Sequence, residues 1–267
     1  MLVTKIEIPA DHPRRESLEV REKIIEGHEL DIVATAGLLA HGRGEAFDYF
    51  IGEKTTEQAR ETIRAAVAAM LTATHPVISV NGNACSLVPE QLVELSKLTS
   101  APLEINLFYY RKEREYAILE ALHNAGAEGV LGTHDRPSVT IPELSSNRRK
   151  VDPDGIGSAD VVLVPLEDGD RTEALRKIGK YVITIDLNPV SRTSIYSNIT
   201  IVDNIVRALP LMVEYARELR ELPHEELSRI VEAFDNDKNI RNSIQLMIEN
   251  LSSKKKMTIA ELREGMK

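Results

Sequence analysis

PVISVNGNACSLVPEQLVELSKLTSAPLEINLF, residues 76–108, sets two short β-rich runs around a helical one. Val77 to Asn81 is apolar and of strand length, Pro89 to Leu98 carries helical spacing, and Leu103 to Phe108 is a second strand-like run. Strand, helix and strand in that order predict a parallel sheet with crossover helices. The alternation continues downstream: a helix over Glu113 to Ala125, then strands at Gly129 to Leu131, Val161 to Val164, Tyr181 to Ile185 and Ile199 to Val202. The expected class is therefore α/β with a mostly parallel sheet.

Either side of this core the pattern is helical. From His12-Pro13-Arg14 the chain enters a charged amphipathic stretch with Leu18, Ile24 and Ile25 as its apolar positions, ending near Gly27. DIVATAGLLA, residues 31–40, is a second apolar segment, and His41-Gly42-Arg43-Gly44-Glu45 after it is expected to be a loop that presents side chains to a ligand. Thr55 or Thr56 can cap a long helix to about Thr74, with Ala59, Ile63, Ala66, Val67 and Met70 on one face. Asn204 to Leu219 is helical, and residues 224–265 hold two or three further helices. The expectation is a single α/β domain over 1–267: a mainly helical part at 1–75, the sheet core at 76–220 and C-terminal helices at 221–267. Thr133 to Gly157, rich in Pro, Ser, Asp and Arg, is a long connection, and such segments inside compact domains are usually functional or mobile.

Composition narrows the function. The formal net charge of −9 argues against general nucleic-acid binding, which needs a clustered excess of Lys and Arg. No apolar run approaches the roughly 18 to 20 residues that cross a bilayer, and Met1 to Lys5 opens no signal-peptide pattern, so a cytoplasmic protein is expected. Cys85 is the one cysteine, which excludes an internal disulfide and disfavours a cysteine-built zinc site.

In doubly wound sheets ligands bind beyond the carboxyl ends of the strands, where helix N-termini and backbone N–H groups meet anions. Asn81-Gly82-Asn83-Ala84-Cys85-Ser86 leaves a strand and enters a helix with small residues; it is neither a Walker loop nor GxGxxG, and taken alone it is equally a generic turn with Asn caps. Asp186-Leu187-Asn188-Pro189-Val190-Ser191-Arg192-Thr193 follows an apolar strand. Its Asp can accept ribose hydroxyls or support magnesium, and Arg192 and Thr193 can donate to phosphate, or the whole is an Asx-turn with a surface Arg. Asn204-Ile205 is an N-cap or a site reading adenine or phosphate. Arg14, Arg15, Arg21 and the glycine-flanked Arg43 add cations, and Arg111 and Arg136 end two further strand regions. His134-Asp135 lacks the GxSxG elbow of a hydrolase.

Together these strings resemble the archaeal phosphopantothenate synthetases, also called 4-phosphopantoate:β-alanine ligases. The resemblance rests on His12-Pro13-Arg14, AGLLAHGRGEAFDY (36–49), VNGNACSLVPEQLVEL (80–95), DLNPVSRTS (186–194) and DNIVRALP (203–210), and covers nearly the whole chain. It implies a Rossmann-like sheet with added helices, a homodimer, and ATP-dependent condensation in coenzyme A biosynthesis. It further implies that ATP, with Mg²⁺, is held by Arg21, Arg43, Asp186, Leu187, Asn188, Arg192, Thr193, Asn204 and Ile205, that 4-phosphopantoate is activated as an acyl-adenylate with release of pyrophosphate, and that β-alanine then displaces AMP. Adenylation supplies the leaving group a carboxylate lacks, so no covalent nucleophile is needed and Cys85 need not be catalytic.

From the chemistry of the substrate, Asn81, Gly82, Asn83 and Ser86 are candidates for the pantoate hydroxyl or carboxylate, and Arg111 with Arg148 or Arg149 for its phosphate. The alternatives are Arg111 paired with a nearby carboxylate and solvated loop arginines. Competing functions are an ATP-dependent ligase or kinase for another phosphorylated acid, and a nucleotide-binding protein without chemistry. A dehydrogenase is disfavoured by the missing glycine fingerprint, and a bacterial-type pantothenate synthetase by the missing HxGH-like loop.

Overall fold

The computed structural model describes residues 8–12, 14–166 and 168–264; Met1 to Lys5, Pro13 of the His-Pro-Arg string and Gly265 lie outside them. Its strands are β1 Pro76–Val80, β2 Leu103–Ile105, β3 Val130–Leu131, β4 Val139–Thr140, β5 Lys150–Val151, β6 Val161–Pro165, β7 Tyr181–Ile185 and β8 Ile199–Ile201. Its helices are α1 Arg15–Glu29, α2 Thr35–Ile51, α3 Glu57–Thr72, α4 Gly82–Leu87, α5 Pro89–Thr99, α6 Lys112–Asn124, α7 Gly169–Lys177, α8 Arg192–Tyr196, α9 Ile205–Leu219, α10 His224–Glu232, α11 Asn236–Lys255 and α12 Ile259–Glu264.

Six strands form one parallel sheet in the order β3-β2-β1-β6-β7-β8, while β4 and β5 make a small antiparallel pair. The order runs outward in opposite directions from β1 and β6, which pair with Val77 opposite Val162, so a crevice opens beyond their carboxyl ends. Every position of β1 and β6 is buried, because crossover elements cover both faces of the sheet and no alternation of apolar with polar residues is required. Ile78, Val80, Leu103, Ile105, Leu163, Ile183 and Ile199 face the core shared with α3, α5 and α9. Val77, Val162, Val164 and Val182 face the other way, onto Ala174 and Leu175 of α7 and onto Ile141, Val151 and Ile156 of the long connection. That second face also buries Ser79, Glu104, Thr184 and Thr200.

Thr56 caps α3, accepting from the backbone N–H of Ala59, and the apolar face expected for this helix is buried. Three expectations are corrected. His41 to Glu45 is not a loop: it lies inside α2, which runs unbroken through it. A helical glycine costs only about 1 kcal/mol relative to alanine, and packing outweighs it. At Gly37 a β-carbon would stand 2.3 Å from Asn83 Oδ1, so the missing side chain lets α2 approach α4. The second strand stops at Ile105, because Asn106 turns its amide to the carbonyls of Arg148 (3.3 Å) and Lys150 (3.1 Å). The stretch 133–157 is a built element, with β4 and β5 and two short helical turns contributing Ile141, Leu144, Val151 and Ile156 to the core.

The C-terminal helices dock through buried amides. Asn239 of α11 accepts from Thr62 Oγ1 of α3 at 2.9 Å and donates to the Thr200 carbonyl of β8 at 2.8 Å.

Candidate active site

Beyond the carboxyl ends of β7 and β8 the chain builds two capped turns. Asp186 accepts from the backbone N–H of Asn188 (2.9 Å) and from Ser191 Oγ (2.5 Å), the Asx-turn that the sequence allowed. Ser191 caps the short α8, accepting from Ser194 N. Burial raises the Asp186 carboxyl above the ordinary aspartate value; the Ser191 and Asn188 hydrogen bonds and the charge of Arg43 oppose that rise. Arg43 therefore reaches Asp186 electrostatically, and Gly44 sets α2 against Leu187, whose Cδ1 lies 3.8 Å from where a β-carbon would stand. Arg43, Asp186 and Leu187 thus gather where α2 covers the end of β7, while Arg21 of α1 lies near His41 of α2. Among the described residues neither Arg21 nor Arg43 makes an ion pair, and Arg43 is exposed.

After β8, Asn204 caps α9, accepting from Val206 N, and its amide donates to Asp48 of α2 at 2.8 Å. Arg207 pairs with Asp48 (2.6 Å) and with the fully buried Asp203 (2.7 Å), fastening α2 to the N-terminus of α9. A cleft of about 240 Å³ opens here, lined by Arg14, Ser17, Glu45, Asp48, Tyr49 and Asn204. One helical turn away from it, His41 stands beside Arg21 and Glu45. Burial chiefly lowers its pKa, Glu45 opposes this and Arg21 adds to it. Among the described residues its Nε2 is buried without a hydrogen-bond partner.

A second group of polar side chains occupies the switch point itself. Asn81 caps α4 and sends its amide to the carbonyls of Pro165 (2.8 Å) and Leu166 (3.2 Å), tying β1 to β6. Asp168 caps α7 and accepts from Arg148 Nη1 at 2.8 Å. Arg171, fully buried, donates to Ser79 Oγ at 2.9 Å and faces Glu104, whose carboxylate accepts from the backbone N–H groups of Asp152 (3.1 Å) and Ile156 (2.6 Å). Burial pushes Glu104 up to about 7, with those two N–H groups and Arg171 holding it down. The two groups are joined at Gly169: a β-carbon there would stand 2.3 Å from Arg192 Cβ and 3.2 Å from Thr193 N, so α7 can sit against α8 only with glycine at this position.

The structure therefore brings Arg43, Asp186, Leu187 and Asn188 together, leaves Arg21 beside His41, and stacks Arg192 and Thr193 on Gly169. Arg192 is 58% exposed and pairs with Asp170 and Glu173, while Thr193 is buried. Asn204 stands one strand further out, at the cleft, and Ile205 is buried in the hydrophobic core. Of the substrate candidates, Asn83 donates to the Gly37 carbonyl (2.9 Å), Ser86 to that of Lys23 (2.9 Å), and a β-carbon on Gly82 would meet Ile32 O at 2.2 Å; all three seat α1 and α2 on α4. Arg111 is 57% exposed and pairs with Asp31 (3.2 Å) and Glu113 (3.6 Å), away from the crevice. Arg148 is buried under Phe108, with its guanidinium 5.7 Å from the ring centroid, and Arg149 is exposed. Sequence reasoning missed Glu104, Asp168, Gly169 and Arg171. The one legible signal was the acidic, glycine-bearing Asp168-Gly169-Asp170 after a strand, an N-cap pattern.

A doubly wound parallel sheet with capped helix starts at its strand ends defines a Rossmann-like α/β protein. The chain belongs to the phosphopantothenate/pantothenate synthetase family, whose model matches residues 58–250. It is 57% identical over 236 residues to the 4-phosphopantoate–beta-alanine ligase of Thermococcus kodakarensis, covering 88% of this chain and 90% of that protein. To the enzyme of the same name from Methanosarcina mazei it is 49% identical over 247 residues, 92% of this chain and 96% of that protein, and to that of Methanospirillum hungatei 44% over 244 residues, covering 91% and 98%.

Proposed function

We propose that this protein is a carbon–nitrogen ligase that joins 4-phosphopantoate to β-alanine, giving 4′-phosphopantothenate for coenzyme A synthesis, with ATP as the energy source. The observation that carries the reading is identity of 44% or more, over nine-tenths of the chain, to relatives bearing that activity in their name, on a fold whose strand ends hold the matching motifs.

In this reading Arg21 and Arg43, which have no ion-pair partner among the described residues, meet the triphosphate, and Asp186 with Asn188 accepts the ribose. Arg192, Thr193, Asn204 and Ile205 complete the nucleotide site. Mg²⁺ bound with ATP would supply charge neutralisation for the departing pyrophosphate. The pantoate carboxylate attacks the α-phosphorus, pyrophosphate leaves, and the amine of β-alanine then attacks the acyl carbon as AMP departs. Arginine side chains fixed at the strand ends stabilise negative charge as it develops, at little cost in reorganisation. Asn81, Gly82, Asn83 and Ser86 border the pantoate end, and Arg111 would have to leave Asp31 and Glu113 to meet its phosphate.

Among the described residues no helix is long and apolar enough to cross a membrane, and we place the protein in the cytoplasm. We also assign it a homodimer, which the exposed Leu39, Val190, Ile195 and Tyr196 favour as apolar surface beside the site; sedimentation should give one species of twice the chain mass. The deciding assay supplies ATP, 4-phosphopantoate and β-alanine and identifies the nucleotide product. AMP with pyrophosphate is expected; ADP with phosphate would replace the adenylate by an acyl-phosphate, and no phosphopantothenate would reject the function.

A further inference from the structure

We propose that the Arg148–Asp168 ion pair at the switch point is the β-alanine subsite, with the guanidinium taking the carboxylate of the amino acid and the Asp168 carboxylate taking its ammonium. This rests on the ligase reading above. β-Alanine differs from the other two substrates in being a zwitterion, so its site must present one positive and one negative group side by side. Arg148 and Asp168 stand 2.8 Å apart and differ in access: the arginine side chain is 7% exposed and the aspartate 33%, so the pair opens to the outside on its acidic side.

The position suits the reaction. Asp168 precedes Gly169, which packs directly on Arg192 and Thr193, the nucleotide-binding turn of the proposed site, and the Arg148 carbonyl is held by Asn106 at the end of β2. An amine bound at Asp168 therefore lies between the nucleotide half of the sheet and the β2 side where pantoate is placed. The other strand-end ion pairs fit less well. Arg207 and its partners Asp48 and Asp203 are at most 17% exposed, which closes that pair to a ligand, and Arg111 lies exposed beside Asp31.

Charge complementarity decides between the substrates. A phosphate brought to Arg148 would stand against the Asp168 carboxylate, a like-charge contact. A zwitterion replaces each charge of the pair by its equivalent, so opening the Arg148–Asp168 bond leaves neither side chain uncompensated; breaking a buried pair without replacement is strongly destabilising. Phe108, 43% exposed and lying over the guanidinium, covers the carboxylate end.

The test is the dependence of phosphopantothenate formation on each substrate in Asp168→Asn and Arg148→Gln. Asparagine is as good an N-cap as aspartate, so Asp168→Asn removes the charge and keeps the start of α7. Loss of one charge-assisted contact should raise KM for β-alanine about ten- to hundredfold, with KM for ATP and for 4-phosphopantoate unchanged. Arg148→Gln should also lose its preference for β-alanine over propylamine, an amine without the carboxylate. Exchange of pyrophosphate into ATP with 4-phosphopantoate present and β-alanine absent should remain at the wild-type rate. A rise in KM for 4-phosphopantoate instead, or equal loss of exchange and of the complete reaction, would overturn the assignment. If Arg148→Gln does not fold, Asp168→Asn decides alone. Wild-type protein that makes phosphopantothenate without pyrophosphate exchange would remove the adenylate step while leaving the β-alanine KM as the readout, so the two failures are separable.

Discussion

Arg43 and Glu104 show how burial decides what a charged side chain does. Arg43 is exposed, makes no ion pair among the described residues and lies within electrostatic reach of the half-buried Asp186. Arg43→Ala should therefore cost about 1.5 to 3 kcal/mol of ATP binding, seen as a ten- to hundredfold rise in KM for ATP with little change in melting temperature. An unaltered ATP affinity would remove it from the site. Glu104 is fully enclosed, and burial pushes it from 4.5 up to about 7. Between those two values the unfolded chain has released a proton that the folded protein keeps. The unfolded state then binds fewer protons, so this residue makes stability fall as pH rises from about 4.5 to about 7 and adds no further change above. Glu104→Gln loses one of the two backbone contacts and, with it, the proton uptake of the carboxylate. Its melting temperature should lie below wild type at pH 5, and the gap should narrow by pH 8; a constant gap would mean that Glu104 is ionised throughout.

At the scale of the element, α2 is where local preference and tertiary packing part company. Three glycines in Gly37, Gly42 and Gly44 argue for a loop, yet the helix is continuous from Thr35 to Ile51. Gly37 is explained by Asn83; at Gly44 a β-carbon would make only ordinary contact with Leu187, at 3.8 Å, and around Gly42 there is nothing within 4 Å of a built β-carbon. Gly42→Ala should therefore stabilise the protein by about 0.5 to 1 kcal/mol, because alanine reduces the freedom of the unfolded chain and fits a helix without strain. A loop at this position would give no gain in melting temperature. Gly169 is the opposite case. There a β-carbon meets Arg192 backbone and side chain, so Gly169→Ala should separate α7 from α8, lowering melting temperature and raising KM for ATP together.

For the molecule as a whole, the parallel sheet holds its helical additions by a few buried amides. Asn239 bridges α11 to both α3 and β8, and Asn239→Ala would leave the Thr200 carbonyl and the Thr62 hydroxyl with one partner fewer in a dry interface. A loss of about 1 to 3 kcal/mol is expected from chemical denaturation, with protease cleavage appearing first in the C-terminal helices. The class of this fold was legible in residues 76–108 and in the apolar runs Val161 to Val164 and Tyr181 to Ile185, because a strand buried on both faces needs a continuous apolar run, and that need is local. The capped turns at Asp186, Ser191 and Asn204 were legible for the same reason: a short side chain bonds to N–H groups two or three residues away. The strand order, the helical state of His41 to Glu45 and the assembly of Glu104, Arg148, Asp168 and Arg171 were not. Those four residues are spread over three separate segments, and their charges acquire partners only when α7 and the 133–157 connection close on one face of the sheet. Sequence by itself determined the layers and the strand-end motifs, which depend on neighbours along the chain; tertiary structure alone decided which charges share the crevice, because contact across strands depends on the order in which the sheet is wound.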